Sequence, residues 1–538
     1  MKPTLVLRAI FLWSIWLISN PVHAVTNCNA LAWARLPDTT ITLAQIVPAG
    51  TFQSPSGSLE QGLPEFCRVV GRIMNHPTSR ITFEVWLPTT QGNKRFVQVG
   101  NGGFAGVIEY DAMATRLRQG YAAASTDDGT TPAPGVPPAQ MLTFLGDLQR
   151  LYDFKGRAVT LTAGVAKALY QLYYRSPPVY SYFTGFSSGG LEALAVVQRI
   201  GDQFDGVSAG CPANNSAGLF TQALWTYKYY QKVSTKLTLI HNAALAACDT
   251  LGDGINDGLI SNPEQCRFNP RQLACKGGDR PDCLTDEQVD AVQKIYEGPV
   301  DPKTGLKTGE QYAPGMPPGS ELVWPTSLNQ AQGASEPWYG MLLYGSLTFD
   351  IANFNFGSDV ERALDITRPY GAQVTNPDIS TFRDKGGKLL MWAGWSDPLW
   401  SQMNIVKYYK QVVAADNGRP APYWSHHQRL GRGAYGNTQR FARLFMAPGM
   451  GHCGGGDGPN VVDTFTPLVD WVEHGNPPEQ IVATQYANND PTQPVVRTRP
   501  LCPYPAVARW KGAGSPNSAD NFMCVTDVNS GREQGEGR

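Results

Sequence analysis

The sequence predicts an α/β fold with a mostly parallel sheet and a large insertion, and three observations predict it. A strand-like run at Val179–Thr184 passes through Gly185 into apolar residues at helical spacing over Leu191–Ile200. Two later apolar strands, Lys388–Gly394 and Arg443–Ala447, each end in a loop. Between these groups, residues 214–378 break the rhythm with four cysteines, an acidic glycine-rich segment and a Pro/Gly-rich run at Ala313–Gly319. That stretch is too long for a loop.

Taken in chain order, the first 24 residues read as a signal peptide. Lys2 and Arg8 give a basic start, Ile10–Ile18 is a short apolar run, and Val22-His23-Ala24 offers small residues for cleavage. The apolar run falls short of the roughly 20 residues that span a bilayer. A soluble mature chain starting near Val25, secreted or periplasmic, is the expectation. Within Ile81–Gly100 two strand-like segments, ITFEVWL and RFVQVG, flank a polar turn at Thr89–Lys94. A further short strand, Gly206–Ala209, follows the helix after Gly185, and this alternation predicts crossover helices on a parallel sheet. The organisation read from this is a core in two parts, residues 25–213 and 379–538, with residues 214–378 inserted as a lid. Residues 530–538 are polar and expected to be disordered.

With 44 basic and 45 acidic residues and no basic block, the chain carries no electrostatic footprint for nucleic acid or an anionic membrane. Aromatic residues make up 10% of it, which suits a substrate with a ring. Ten cysteines without a CxxC pair read, in an exported chain, as disulfides rather than a metal cluster. Proximity suggests Cys28 with Cys67, Cys248 with Cys266, Cys275 with Cys283 and Cys502 with Cys524, each stabilising by about 2–4 kcal/mol. Cys211 and Cys453 are left over.

Gly185-Phe186-Ser187-Ser188-Gly189 matches G-x-S-x-G, in which glycines allow a tight strand-to-helix turn that presents a serine hydroxyl. An ordinary glycine turn is the alternative, but a strand precedes it and a helix follows. A serine needs a base oriented by a carboxylate. Of the seven histidines, His23 leaves with the signal peptide, and His76, His241, His426, His427 and His474 lack a strand-end setting. His452 stands in the loop Pro448-Gly449-Met450-Gly451-His452-Cys453 after a strand. Asp397 follows Lys388–Gly394 in Gly394-Trp395-Ser396-Asp397-Pro398, where a helix cap or Asx turn is its ordinary use. The order Ser, Asp, His is that of α/β-hydrolases. The Ser188 amide, at a helix N-terminus, and Gly102 or Gly103 in Val99–Gly106 are the candidate oxyanion donors. No P-loop lysine or G-x-G-x-x-G spacing follows that loop, so a nucleotide reading is poor.

The chain resembles the tannase and feruloyl esterase family, which includes a hydrolase of mono(2-hydroxyethyl) terephthalate. The segments GNGGFAG, GFSSGG, FDGVSAGCPANN, PGMPPGSE, GWSDPL, GHCGGG and LCPYPAVARWKGAG carry the resemblance, with the acidic run after Cys248. It implies an α/β-hydrolase core, a large lid, hydrolysis of esters of aromatic acids, and Ser187, Asp397 and His452 as a triad. It also implies a structural calcium ion in the lid, held by Asp249, Asp253 and Asp257 and the carbonyls of Ile255 and Leu259. One extra residue separates Asp249 from Asp253, and an acidic turn stapled by Cys248 and Cys266 is the alternative. No cofactor is expected for the chemistry. Family members carry a cysteine just before the nucleophile, bonded to the cysteine after the histidine, whereas this chain has Phe186 there. The expectation is that Cys211 pairs with Cys453 instead.

The expected mechanism is acyl transfer through an acyl-enzyme on Ser187. Trp392, Trp395 and Trp400, and the insertion's Trp324, Trp338, Tyr339 and Phe349, are candidates to stack on a substrate ring, although core packing is their commoner use. A substrate carboxylate calls for an arginine fork. None lies between Arg280 and Arg362, which places feruloyl, chlorogenate or galloyl esters ahead of terephthalate monoesters. A peptidase or thioesterase on the same core is one rival. A catalytically silent binding module is another, and the intact serine, histidine and aspartate speak against it.

Overall fold

The computed structural model describes residues 27–90, 92–104, 106–131, 138–300, 313–419 and 430–526. The expected signal peptide, His426, His427 and the polar C-terminal end lie outside these residues. Among the described residues, nine strands form the central sheet: β1 (Thr39–Val47), β2 (Phe66–Ile73), β3 (Ile81–Pro88), β4 (Arg95–Val99), β5 (Ala122–Thr126), β6 (Tyr180–Phe186), β7 (Gly206–Gly210), β8 (Lys388–Gly394) and β9 (Ala442–Ala447). Their spatial order is β1-β2-β3-β5-β4-β6-β7-β8-β9. From β5 to β9 every neighbouring pair is parallel. The other half is antiparallel, β1 on β2, β2 on β3 and β3 on β5. The two strands expected within Ile81–Gly100 are therefore present but separated in space by β5.

Apolar residues on successive strand positions face opposite ways, so the sheet is covered on both sides. Phe183 of β6 and Met391 of β8 join one core with helices α2 (Ala158–Tyr174), α3 (Ser188–Arg199) and α4 (Met403–Asp416). Tyr182 and Leu390 face the other core, with α1 (Tyr110–Arg118) and α5 (Phe465–His474). This is the three-layer arrangement of an α/β-hydrolase fold.

Between β7 and β8 the chain makes a helical excursion whose main helices are Ser216–Tyr230, Leu237–Cys248, Asp286–Glu297, Glu336–Tyr344 and Ser358–Thr367. It buries two apolar clusters. One, with Trp338 and Tyr339, also takes in Phe144, Leu151 and Phe154 from the core segment. The other, with Trp324, is closed by Cys248–Cys266. Near the C-terminus, Val507–Trp510 pairs with Phe522–Val525 beside the strand Val495–Leu501, and Cys502–Cys524 staples them. Among the described residues, no helix is long and apolar enough to cross a membrane.

Candidate active site

Strand β6 ends with Phe186 opposite Gly210 of β7, and the chain must then turn sharply into α3. Ser187 makes that turn with φ 60° and ψ −119°, a conformation costly for a residue with a side chain, at about 1–3 kcal/mol. Its surroundings enforce it. The Ser187 N–H donates to the Gly210 carbonyl at 2.9 Å, and its own carbonyl accepts from Leu191 and Ala213, each at 3.1 Å. A Cβ at Gly190 would lie 2.3 Å from the Gly210 oxygen, so only glycine lets α3 sit this close to β7.

The ends of β8 and β9 supply a carboxylate and an imidazole. Their loops are joined by backbone bonds, Trp395 N–H to the Ala447 carbonyl and Ser396 N–H to the Met450 carbonyl, both 3.0 Å. A Cβ at Gly394 would fall 2.1 Å from the Met450 oxygen, which is why glycine stands at this crossing. The Asp397 side chain is fully buried. Its Oδ1 accepts the Leu399 N–H at 2.8 Å, and its Oδ2 accepts the Gln402 amide at 2.6 Å and lies 2.8 Å from His452 Nδ1. His452 Nε2 is 2.9 Å from Ser187 Oγ. A carboxylate only accepts, so Nδ1 carries the proton and Nε2 is left to accept the serine hydroxyl. The Trp400 ring stands edge-on to the imidazole, with centroids 5.1 Å apart.

The five expected disulfides are all present, including Cys211–Cys453. Cys211 follows β7 and Cys453 follows His452, so this bond ties the histidine loop to the strand beside the nucleophile. Phe186 is exposed. The loop at Gly100–Gly103 lies against the start of α3: Gly189 N–H donates to the Asn101 carbonyl and Ser188 Oγ to the Gly103 carbonyl, each at 2.6 Å. The Gly102 N–H meets the carboxylate of Glu109, an acid whose pKa burial raises.

The acidic loop of the insertion is built differently. Asp249 accepts the backbone N–H groups of Asp257, Gly258 and Leu259 at 3.3, 2.9 and 3.2 Å. Asp253 accepts Ile255 N–H at 3.1 Å and the Ser261 hydroxyl at 2.6 Å, and burial pushes its pKa up to about 6. Asp257 Oδ2 receives Arg497 at 3.3 Å and Arg499 at 2.5 Å, while its Oδ1 is buried without a partner. Among the described residues, ligand atoms of three His, Cys, Asp or Glu side chains come within 4.8 Å of one another only at Cys211, His452 and Cys453, where the cysteines are bonded to each other. In this loop the acidic oxygen left open to a cation is Asp257 Oδ1. Asp249, the acid before the extra residue, is engaged with its own loop.

Of the other residues singled out, His76 bonds Thr78 at the surface, His241 pairs with Glu321 and His474 with Asp470, all away from Ser187. Trp324, Trp338 and Tyr339 are fully buried in the insertion's own clusters, so they are not ring platforms; helical packing of the insertion needs them as core. Phe349 packs at the edge of one cluster. Trp392 and Trp395 are core residues on opposite faces of the sheet. Sequence reasoning missed Gln402, whose amide steadies Asp397, and Glu192, an acid wholly buried in the apolar stretch of α3. An acid at a buried helical position is itself a signal.

Residues 67–525 match the family model described as tannase and feruloyl esterase. An uncharacterized esterase of Xanthomonas campestris is 36% identical, with 95% of this chain and 93% of that protein covered. A probable feruloyl esterase of Arthroderma benhamiae is 32% identical over 84% of each. The crystal structure of feruloyl esterase B from Aspergillus oryzae superposes with a TM-score of 0.77 at 27% identity, covering 93% of this chain and 99% of that one.

Proposed function

Since this chain belongs to the tannase and feruloyl esterase family and is a carboxylic ester hydrolase, we propose that Ser187 is its nucleophile, His452 its general base and Asp397 the group that orients the base. The observation that carries this is the unbroken line from Asp397 Oδ2 through His452 to Ser187 Oγ, at 2.8 and 2.9 Å.

His452 Nε2 takes the Ser187 proton as Oγ attacks the ester carbonyl. Asp397 stabilises the imidazolium that forms, and its bonds from Leu399 and Gln402 keep the carboxylate aimed. The developing oxyanion is met by the amide of Ser188 and by a donor from the glycine loop. That second donor is the N–H of Gly102 or Gly103. His452 then protonates the departing alcohol, and a water that it deprotonates releases the acid.

The substrates are esters of phenolic acids, such as feruloyl, chlorogenate or galloyl esters. The family membership supports that class, and Trp400 beside His452 supplies an aromatic wall. Residues 214–378 act as the lid over the site. The five disulfides support export to an oxidising compartment. A calcium ion would be held by Asp253 and Asp257 with the carbonyls of Ile255 and Leu259, in a loop framed by Asp249. It would supply local stiffness and no chemistry.

The test is turnover of methyl ferulate, chlorogenate, methyl gallate and a terephthalate monoester by wild type and Ser187→Ala. The phenolic esters should be hydrolysed by wild type and not by the variant; undiminished turnover by Ser187→Ala removes the reading.

A further inference from the structure

Behind the glycine loop lies a cluster of buried polar groups that the acyl-transfer chemistry does not use. Glu192 on α3 and Asp128 after β5 are both wholly buried, and their carboxyl groups are in hydrogen-bonding contact. Glu192 Oε2 accepts the N–H of Asn101 at 3.0 Å. Glu192 Oε1, both oxygens of Asp128 and Asn101 Oδ1 are buried away from water, and besides each other the two acids have the Asn101 side chain within reach. Asp128 stands at φ 54°, in the left-handed region that aspartate enters more readily than most residues. Lys155, also buried, donates to Ser216 Oγ at 2.7 Å and lies 5.0 Å from the Trp338 ring, so it faces the insertion and bonds neither acid directly.

Two carboxylates in contact, away from water, cannot both be charged. A proton on one of them resolves the geometry at once. An Asp128 O–H donating to Glu192 Oε1 gives one oxygen of each acid a partner and leaves Oε2 as a charged acceptor for Asn101. The single remaining negative charge faces Lys155. Burial raises the pKa of Glu192 to about 7, holds that of Asp128 well above the usual carboxylate range, and lowers that of Lys155 to about 7, in keeping with one proton held between the acids.

We propose that Asp128 and Glu192 share one proton, and that this acid pair positions the Gly100–Gly103 loop, with its oxyanion donor, against the nucleophile helix. The link is short. Glu192 holds the Asn101 N–H, Asn101 in turn accepts from Gly189 at 2.6 Å, and Asn101 Nδ2 is anchored on the Thr126 carbonyl at 2.7 Å. A Cβ on Gly100 would sit 2.7 Å from Glu192 Oε2, so the loop is glycine where it crosses the acid. Glu192 and Asp128 are positioning residues: they act on the oxyanion donor through the loop.

The proposal rests on Ser187 as the nucleophile, so wild-type turnover of methyl ferulate, lost in Ser187→Ala, is the entry condition; failure there is failure of that reading and not of this one. Given it, Glu192→Ala lowers kcat about tenfold to a hundredfold, by displacing one oxyanion donor, with KM within about twofold. Glu192→Gln, which keeps an acceptor for Asn101 and offers an N–H to Asp128, restores most of that loss, and Asp128→Asn behaves like it. The proposal is overturned if Glu192→Ala, melting like wild type, keeps its kcat, or if Glu192→Gln is as slow as Glu192→Ala. Should Glu192→Ala not fold, the two amide variants decide: kcat within about threefold of wild type in both upholds the shared proton, and a folded amide variant more than about tenfold slower overturns it.

Discussion

Asp397 and Asp249 are both nearly inaccessible to water, and each accepts three hydrogen bonds. The difference lies in where the donors come from. All three donors to Asp249 are amides of its own loop, between Asp257 and Leu259, so its negative charge shapes that loop and nothing else. Asp397 takes one amide and one side chain from the segment just after it, and its third partner is the imidazole of a different strand end. A carboxylate bonded only to its own turn is scaffold. One that reaches another loop couples two elements, and at the C-terminal edge of a parallel sheet that coupling is available for chemistry.

Substitution at the two acids should separate these roles. Asp397→Asn lowers kcat by about 10³–10⁴-fold, because an amide no longer holds the Nδ1–H tautomer or steadies the imidazolium, while the melting temperature moves little. Kinetics and a thermal melt on the same sample check both halves. Breaking Cys211–Cys453 with paired serines should destabilise by about 2–4 kcal/mol, read as a lower midpoint in denaturant. An unchanged midpoint would mean that backbone bonds alone hold the histidine loop in place. Asp249→Asn should cost about 1–3 kcal/mol of stability and leave kcat within about twofold, since three amides lose a charged acceptor far from Ser187. A large kcat effect there would erase the contrast. The smallest expected effect is chelation: EDTA should lower stability by about 1.4 kcal/mol if free calcium had stood near ten times Kd, with kcat at 25 °C unchanged. A melt unaltered by EDTA would assign the loop to its own hydrogen bonds and to Arg497 and Arg499.

Much of the site was legible because each of its residues follows a strand with an unmistakable apolar pattern. The apolar pattern gives β8 as Lys388–Gly394 and β9 to within one residue, so the sequence alone places Asp397 and His452 after strand ends. The nucleophile turn was marked by glycines at Gly185 and Gly189, where a side chain does not fit. Of the antiparallel half only β3 is legible in the sequence. β1 carries a mixed, largely half-exposed pattern, β2 is mostly buried without strict alternation, and pairing of β3 with β5 rather than β4 depends on a long-range crossover that no local spacing encodes. Aromatic residues of the insertion misled for a related reason. Trp338 and Tyr339 mark a ring-binding wall and a helical core equally well in sequence, and only packing distinguishes the two. The acid pair of Asp128 and Glu192 joins residues far apart in the chain, so neither announces the other.

The central claim, that Ser187 is the group His452 activates, is tested most directly by covalent labelling. Wild type treated with a phosphonofluoridate, digested and mapped by mass spectrometry should carry one adduct, on Ser187, with activity lost in proportion to labelling. His452→Ala should label far more slowly. An adduct on a different residue, or full activity with Ser187 blocked, would contradict the account.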